Sequence, residues 1–130
     1  MSYKITKKHF KVFKGAVHDW LEIYGLKDWL VSIILGVPEE HKSEAGEYKA
    51  ICVSDLVSMQ AEISINGKWL DEPTDQKIKE SAFHEASELL LSPLNILANT
   101  RYVLEREIEA ARHEIIHRLY NTVAQDKYRK

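Results

Sequence analysis

His84, Glu85 and Glu88 fall within five residues of one another in Ser81-Ala82-Phe83-His84-Glu85-Ala86-Ser87-Glu88, which runs on into Leu89-Leu90-Leu91. An α-helix turns once in 3.6 residues, so side chains 84 and 88 stack one turn apart on a single face. An imidazole and a carboxylate placed this way can reach one metal ion. Glu85, next to the first and splayed off the line joining them, is set beside a water on that ion. The spacing is that of an HExxH zinc-hydrolase helix, with Glu88 where the second histidine stands. A catalytic zinc takes three protein ligands and keeps a fourth position for water, whose pKa it lowers to about 7. A carboxylate within hydrogen-bond reach takes the water's proton and later passes it to the leaving amine. Glu85 is the candidate for that base and is not itself a ligand.

A second frame competes further along, where His113-Glu114-Ile115-Ile116-His117 is an HExxH pentad letter for letter. In that frame His113 and His117 bind the metal, Glu88 or His84 completes it, and Glu114 is the base. The pentad lies near the C-terminus, follows no strand layer and leaves little chain to supply a later ligand. These points weigh toward the first frame, in which His117 or Tyr120 is a candidate hydrogen-bond donor to a developing oxyanion.

The elements that must position these groups follow from periodicity. Thr6 can cap a first helix running to about Tyr24, with Phe10, Phe13, Val17, Trp20, Leu21 and Tyr24 on one face and Gly25 as its stop. Trp29 to Leu35 predicts a strand ended by Gly36-Val37-Pro38, and Glu39 to Glu47 a charged exposed loop. Tyr48 to Ser54 predicts a second strand. Met59, Ala61, Ile63 and Ile65 alternate with polar residues in a third, closed by an Asn66-Gly67 turn. Pro73-Thr74-Asp75 starts the motif helix, which should stop at Ser92-Pro93. A short link, Pro93 to Asn99, leads to a long last helix from about Thr100 to Ala124. Its apolar stripe is Leu104, Ile108, Ala111, Ile115, Leu119 and Val123. The fold class is α+β: an N-terminal helix on a small three-stranded sheet, with the motif helix and the long C-terminal helix on the same side, as one domain over residues 1–130.

Composition narrows the function classes. The chain has 130 residues, enough for one real core, and a formal net charge of −2. That balance argues against a dedicated nucleic-acid binder. Lys4, Lys7, Lys8, Lys11 and Lys14 read as the solvated side of a helix whose phenylalanines face the core. The longest apolar run, Trp29 to Val37, is far too short for a membrane span and is broken by Ser32 and Gly36. The N-terminus opens into a Lys-rich helix rather than an apolar signal segment. Cys52 is the only cysteine, so no internal disulfide can form and a reducing, cytoplasmic setting is expected. It reads as a small apolar residue in the second strand. Trp20, Trp29 and Trp69 read as core or edge anchors, and Asp71-Glu72 with Asp75 as turn and helix-start chemistry.

This order of elements, with Gly25-Leu26-Lys27-Asp28-Trp29, Ala82-Phe83-His84-Glu85, Arg112-His113 and Arg118-Leu119, resembles a family of zincin-like metallopeptidases associated with phages and prophages. The resemblance covers most of the chain. It implies a zinc-dependent hydrolase of peptide bonds, in the host cytoplasm if phage-encoded, with His84 as first ligand, Glu85 as general base and His113 as third ligand. Position 88 is His in that pattern and Glu here. Two His and one carboxylate is a set zinc peptidases use. The extra negative charge lowers Lewis acidity, raises the pKa of the bound water and makes manganese or magnesium more acceptable. The expectation is therefore a metal site with weak or altered hydrolysis of a peptide or protein substrate. The alternative is a catalytically silent zincin-fold module that binds a host or phage protein. In zincins an edge strand beside the metal holds the substrate extended by strand addition; Trp29 to Leu35 or Met59 to Asn66 are the candidates. The environment of Glu85 discriminates: a base faces an open cleft, whereas a glutamate without a role points to solvent or pairs with a lysine such as Lys79.

Overall fold

Thr6 starts the first helix by reciprocal capping. In the computed structural model, which describes residues 2–36, 48–100 and 102–124, the Thr6 hydroxyl accepts from the His9 amide while the His9 ring accepts from the Thr6 amide. The helix they open, α1 (Lys7–Ile23), buries Phe13, Ala16, Val17 and Leu21. It ends as predicted at Gly25, whose φ of +68° is one that other residues rarely adopt. There the Leu26 amide bonds back to Leu21 and the Gly25 amide to Glu22, the paired bonds of a Schellman stop.

Three strands form the main sheet: β2 (Leu30–Leu35), β3 (Ala50–Asp55) and β4 (Gln60–Ile65), in the order β2-β4-β3. Strand β4 runs parallel to β2 and antiparallel to β3, so Ile63 faces both Ile33 and Cys52 across the ladders. Ala61, Ile63 and Ile65 are buried as the alternation in β4 predicts, but Ser64 between them is buried as well. Because β4 is the central strand, both its edges are already bonded. It cannot accept a substrate strand, and the edges that remain belong to β2 and β3. A second, two-stranded ribbon pairs β1 (Tyr3–Lys4) with β5 (Lys68–Trp69). Elements of two residues carry no readable period, so nothing in the sequence marks them. Trp69 is almost fully buried there and its indole donates to the Lys49 carbonyl. The predicted loop Glu39 to Glu47 and the Val37-Pro38 stop lie outside the described residues.

Thr74 caps the motif helix α2 (Asp75–Leu90), its hydroxyl accepting from the Lys77 amide. Helices α1 and α2 pack on each other, and α2 also lies against β3. The expected link after Ser92 is instead a short helix, α3 (Ser92–Ala98), because proline is tolerated in a first helical turn, where its missing amide costs no bond. The last helix, α4 (Glu105–Leu119), is shorter than predicted and passes into a π-helical turn over Tyr120–Ala124. Its inward seam is also narrower. Ala111 and Ile115 are buried and Leu119 partly so, while Leu104, Ile108 and Val123 remain exposed. The helix meets the body mainly through α3, which covers only part of the stripe.

Arg118 ties this last helix to the α1–β2 corner. Its guanidinium donates to the Gly25 carbonyl at 2.6 Å and to both Asp28 oxygens at 3.0 and 2.7 Å. This two-pronged pairing holds the Asp28 carboxyl below the usual aspartate range. It gives a physical role to Gly25, Asp28 and Arg118, residues that stood out in the sequence. Among the described residues, no helix is long and apolar enough to cross a membrane.

Candidate functional site

Lys77, Ser81, His84 and Glu88 recur along one face of α2 at steps of three and four. Facing them is the start of β3. Tyr48, Lys49 and Ala50 on that side, with Lys77, Glu80, Ser81, His84 and Glu85 on the helix, line an open polar cleft of about 330 Å³. Thr74 fixes where the helix begins, and its inner residues Ile78, Ala82, Ala86 and Leu89 are buried in the core. The polar face is thereby turned toward β3. Tyr24 on α1 adds a hydroxyl contact to Ser87 at 3.0 Å, holding the rotation of the helix on its other side.

Glu85 is the group in this cleft that ordinary packing does not account for. It is only 7 % exposed, yet among the described residues no hydrogen bond or ion pair is made to its carboxyl, and it borders the cleft. Burial pushes its pKa up to about 7, the His84 ring working against the rise and the Glu88 carboxylate adding to it. Its carboxyl borders the open cleft and, among the described residues, does not pair with Lys79.

His84 and Glu88 stand beside it as expected, with Nε2 and Oε1 3.3 Å apart and both side chains largely exposed. This is the direct contact of an exposed i,i+4 pair, and the same separation is that of two donors on a tetrahedral ion at bond lengths of about 2.0–2.1 Å. Oxygen from Glu88 and nitrogen from His84 are donors that zinc accepts.

A third ligand does not join them. Among the described residues, no three His, Cys, Asp or Glu side chains lie close enough to hold a metal ion. His113, Glu114, His117 and Tyr120 are all at the surface of α4 and its continuation. Glu114 lies 3.8 Å from Arg118, an exposed contact. His113 is two residues from both buried side chains of its helix, Ala111 and Ile115, hence roughly 160° around the axis from each. It faces away from the body of the molecule.

The chain matches no family model, no curated protein and no solved structure.

Sequence reasoning missed the opposite wall of the cleft. Lys77 and Ser81 were accessible to it, lying seven and three residues before His84 on the same helical face. Tyr48 and Lys49 were not, because only the tertiary packing of β3 against α2 brings them there. Lys49 and Lys77 share Asp71, each ammonium 3.0 to 3.1 Å from the same carboxylate oxygen, and Lys49 also lies over the Trp69 ring. That cluster fastens the β5–α2 connection to the start of β3 at one end of the cleft. Cys52, on the cleft side of β3, has its thiol pushed to about 12 by burial and by the nearby Glu85 and Glu88 carboxylates. A thiol that remains protonated at neutral pH is a poor nucleophile.

Proposed function

We propose that this cleft is the centre of a metal-dependent hydrolase of the zincin type, acting on peptide bonds, with His84 and Glu88 as two ligands and Glu85 as the general base. The observation that carries this reading is Glu85: a buried carboxyl with no partner among the described residues, opening onto a cleft next to a His–carboxylate pair at metal-ligand spacing. A zinc ion held by His84 and Glu88, with manganese or magnesium as substitutes, would supply Lewis acidity for a substrate carbonyl and for a water ionising near neutral pH.

The protein's own groups do the rest. Glu85 takes the proton of the attacking water and returns it to the leaving amine nitrogen. The first residue of β3, Ala50, borders the cleft, and among the described residues no strand pairs with the outer edge of β3. It is thus the edge suited to hold an extended peptide by strand addition, its backbone supplying hydrogen bonds that carry no side-chain specificity. Lys49 and Lys77 at one end favour acidic groups on the bound chain.

The test is metal content and peptide hydrolysis measured together. Purified without chelator, the protein is expected to carry about one zinc per chain, to lose it in His84→Ala, and to hydrolyse a mixed peptide library at a rate abolished in Glu85→Gln with metal retained. Bound metal with a library untouched by both proteins would leave the second reading, a silent module that binds a protein partner. No bound metal after zinc is added back would remove the hydrolase reading.

A further inference from the structure

The formal charge of −2 hides a division along the chain. Residues 1–18 hold five lysines and no Asp or Glu, a charge of +5, so residues 19–130 carry −7. Asymmetry of this kind points to contact with a nucleic acid or a membrane surface. The fold gathers the basic part into a line. Lys7, Lys11 and Lys14 recur at steps of four and three, so they fall within roughly 60° of the α1 circumference along about 10 Å of its length. Lys8 flanks this line, His18 extends it by one turn and Glu22 closes it. The ribbon that leads into α1 adds two more lysines, Lys4 on β1 standing directly opposite Lys68 on β5. All six lysines are exposed, and among the described residues none of them forms an ion pair. Stability of the chain alone does not account for these positions. Lys7 with Lys11, and Lys11 with Lys14, are like charges one helical turn apart, and Lys4 with Lys68 are like charges across a strand pair; each placement is unfavourable. Lys7 and Lys8 also sit in the first turn of α1, at the positive end of its dipole, where no acid stands. An anion carrying several charges relieves each of these repulsions.

We infer that this basic surface, Lys7, Lys8, Lys11 and Lys14 on α1 with Lys4 and Lys68 on the adjoining ribbon, binds the phosphate backbone of a duplex nucleic acid without reading its sequence. None of the six lines the cleft between α2 and β3, and no metal is involved. Lysine is a compact point charge on a flexible stem, suited to phosphates, whereas sequence is read at the base edges. Residues 1–18 hold no arginine, the side chain that most often pairs with guanine in the major groove. Single strands are held by aromatic rings that stack on the bases, but Phe10 and Phe13, the nearest aromatics on α1, pack on the core. A membrane surface takes an amphipathic helix by its apolar face. That face of α1 is committed to the core, with Phe13 and Val17 fully buried. A duplex, which hides its bases and repeats its phosphates along the outside, fits the chemistry that remains.

The test uses the full chain and the fluorescence anisotropy of two labelled DNA duplexes of unrelated sequence, between about 50 and 200 mM salt. Two variants are made, Lys7→Gln with Lys11→Gln and Lys14→Gln on the helix, and Lys4→Gln with Lys68→Gln on the ribbon. Glutamine keeps the helix propensity of lysine, and circular dichroism checks that both variants are folded. The parent is expected to bind both duplexes alike. The logarithm of its affinity should fall against that of the salt concentration with a slope of about −3 or steeper, as when three or more phosphates are neutralised. The triple variant should bind about tenfold or more weakly, with a slope shallower by about 3, and the double variant should fall between it and the parent. Absence of binding to either duplex at the lowest salt would overturn the inference, and so would binding that both variants retain in full. Tighter binding to a single strand of the same sequence would overturn the choice of a duplex. Vesicles of phosphatidylserine and phosphatidylcholine are run in parallel. Binding to them in preference to the duplexes, lost in the triple variant, would overturn the nucleic-acid reading and assign this face to an anionic membrane surface.

Discussion

Glu85→Gln should make the metal-free protein more stable in alkali and leave it little changed in acid. In the fold the Glu85 carboxyl ionises at about 7, against an ordinary 4.5. Below the lower value both folded and unfolded chains are protonated, and burial carries no electrostatic cost. Between the two values the unfolded chain is ionised while the folded one still holds its proton, so stability falls as pH rises. Above 7 both are ionised and the cost is complete. Each pH unit between the two values corresponds to about 1.4 kcal/mol, an upper bound of about 3 kcal/mol. Water in the adjoining cleft screens the charge, so about 1–3 kcal/mol is the expected range. A glutamine has the same shape and never ionises. It also brings an amide that must find partners, a cost that does not vary with pH. The pH dependence of the difference, rather than its size at one pH, is therefore the readout. Urea unfolding of both proteins in chelator at pH 5, 6, 7 and 8 should show the variant gaining on the parent through this window and levelling off above it. Parallel curves would mean that Glu85 is solvated in the fold, and would remove the main support for its role as a base.

Other expectations concern the scaffold around the site. Arg118→Ala should destabilise the fold by about 1–2 kcal/mol in urea unfolding at pH 7, since it breaks a two-pronged contact to a half-exposed carboxylate and a bond to the Gly25 carbonyl. Because Asp28 titrates below the usual range, that contribution is present above about pH 4 and fades as acid protonates it; a loss that is constant down to pH 2 would contradict the pairing. Gly25→Ala should cost about 1–3 kcal/mol, from its positive φ and from a Cβ only 2.8 Å from Thr122 Cγ2. Combining it with Thr122→Ser, which removes that methyl, should restore part of the loss, and no recovery would assign the whole effect to the backbone. Cys52 should resist iodoacetamide at pH 8 in the folded protein and react promptly in urea, its thiol being pushed to about 12 in the fold.

Where the sequence could be read, local chemistry decided the structure: Thr6 and Thr74 cap their helices, Gly25 stops the first, and the alternation of Ala61, Ile63 and Ile65 sets the face of β4. What periodicity does not encode is which strand lies between which. The central position of β4 depends on a crossover from β2 that involves no local signal, and it leaves β2 and β3 as the edge strands of the sheet. The cleft shows the same division. His84, Glu85 and Glu88 follow from helical spacing alone, whereas the Tyr48–Ala50 wall depends on packing between elements far apart in the chain.

The case of His113 is different, because the sequence itself supports two conflicting placements of this residue. The resemblance to zincin-like peptidases assigns it to the metal beside α2. The apolar stripe of its own helix includes residues 111 and 115, and so puts residue 113 on the opposite side. The fold follows the stripe: Ala111 and Ile115 are buried and His113 is exposed.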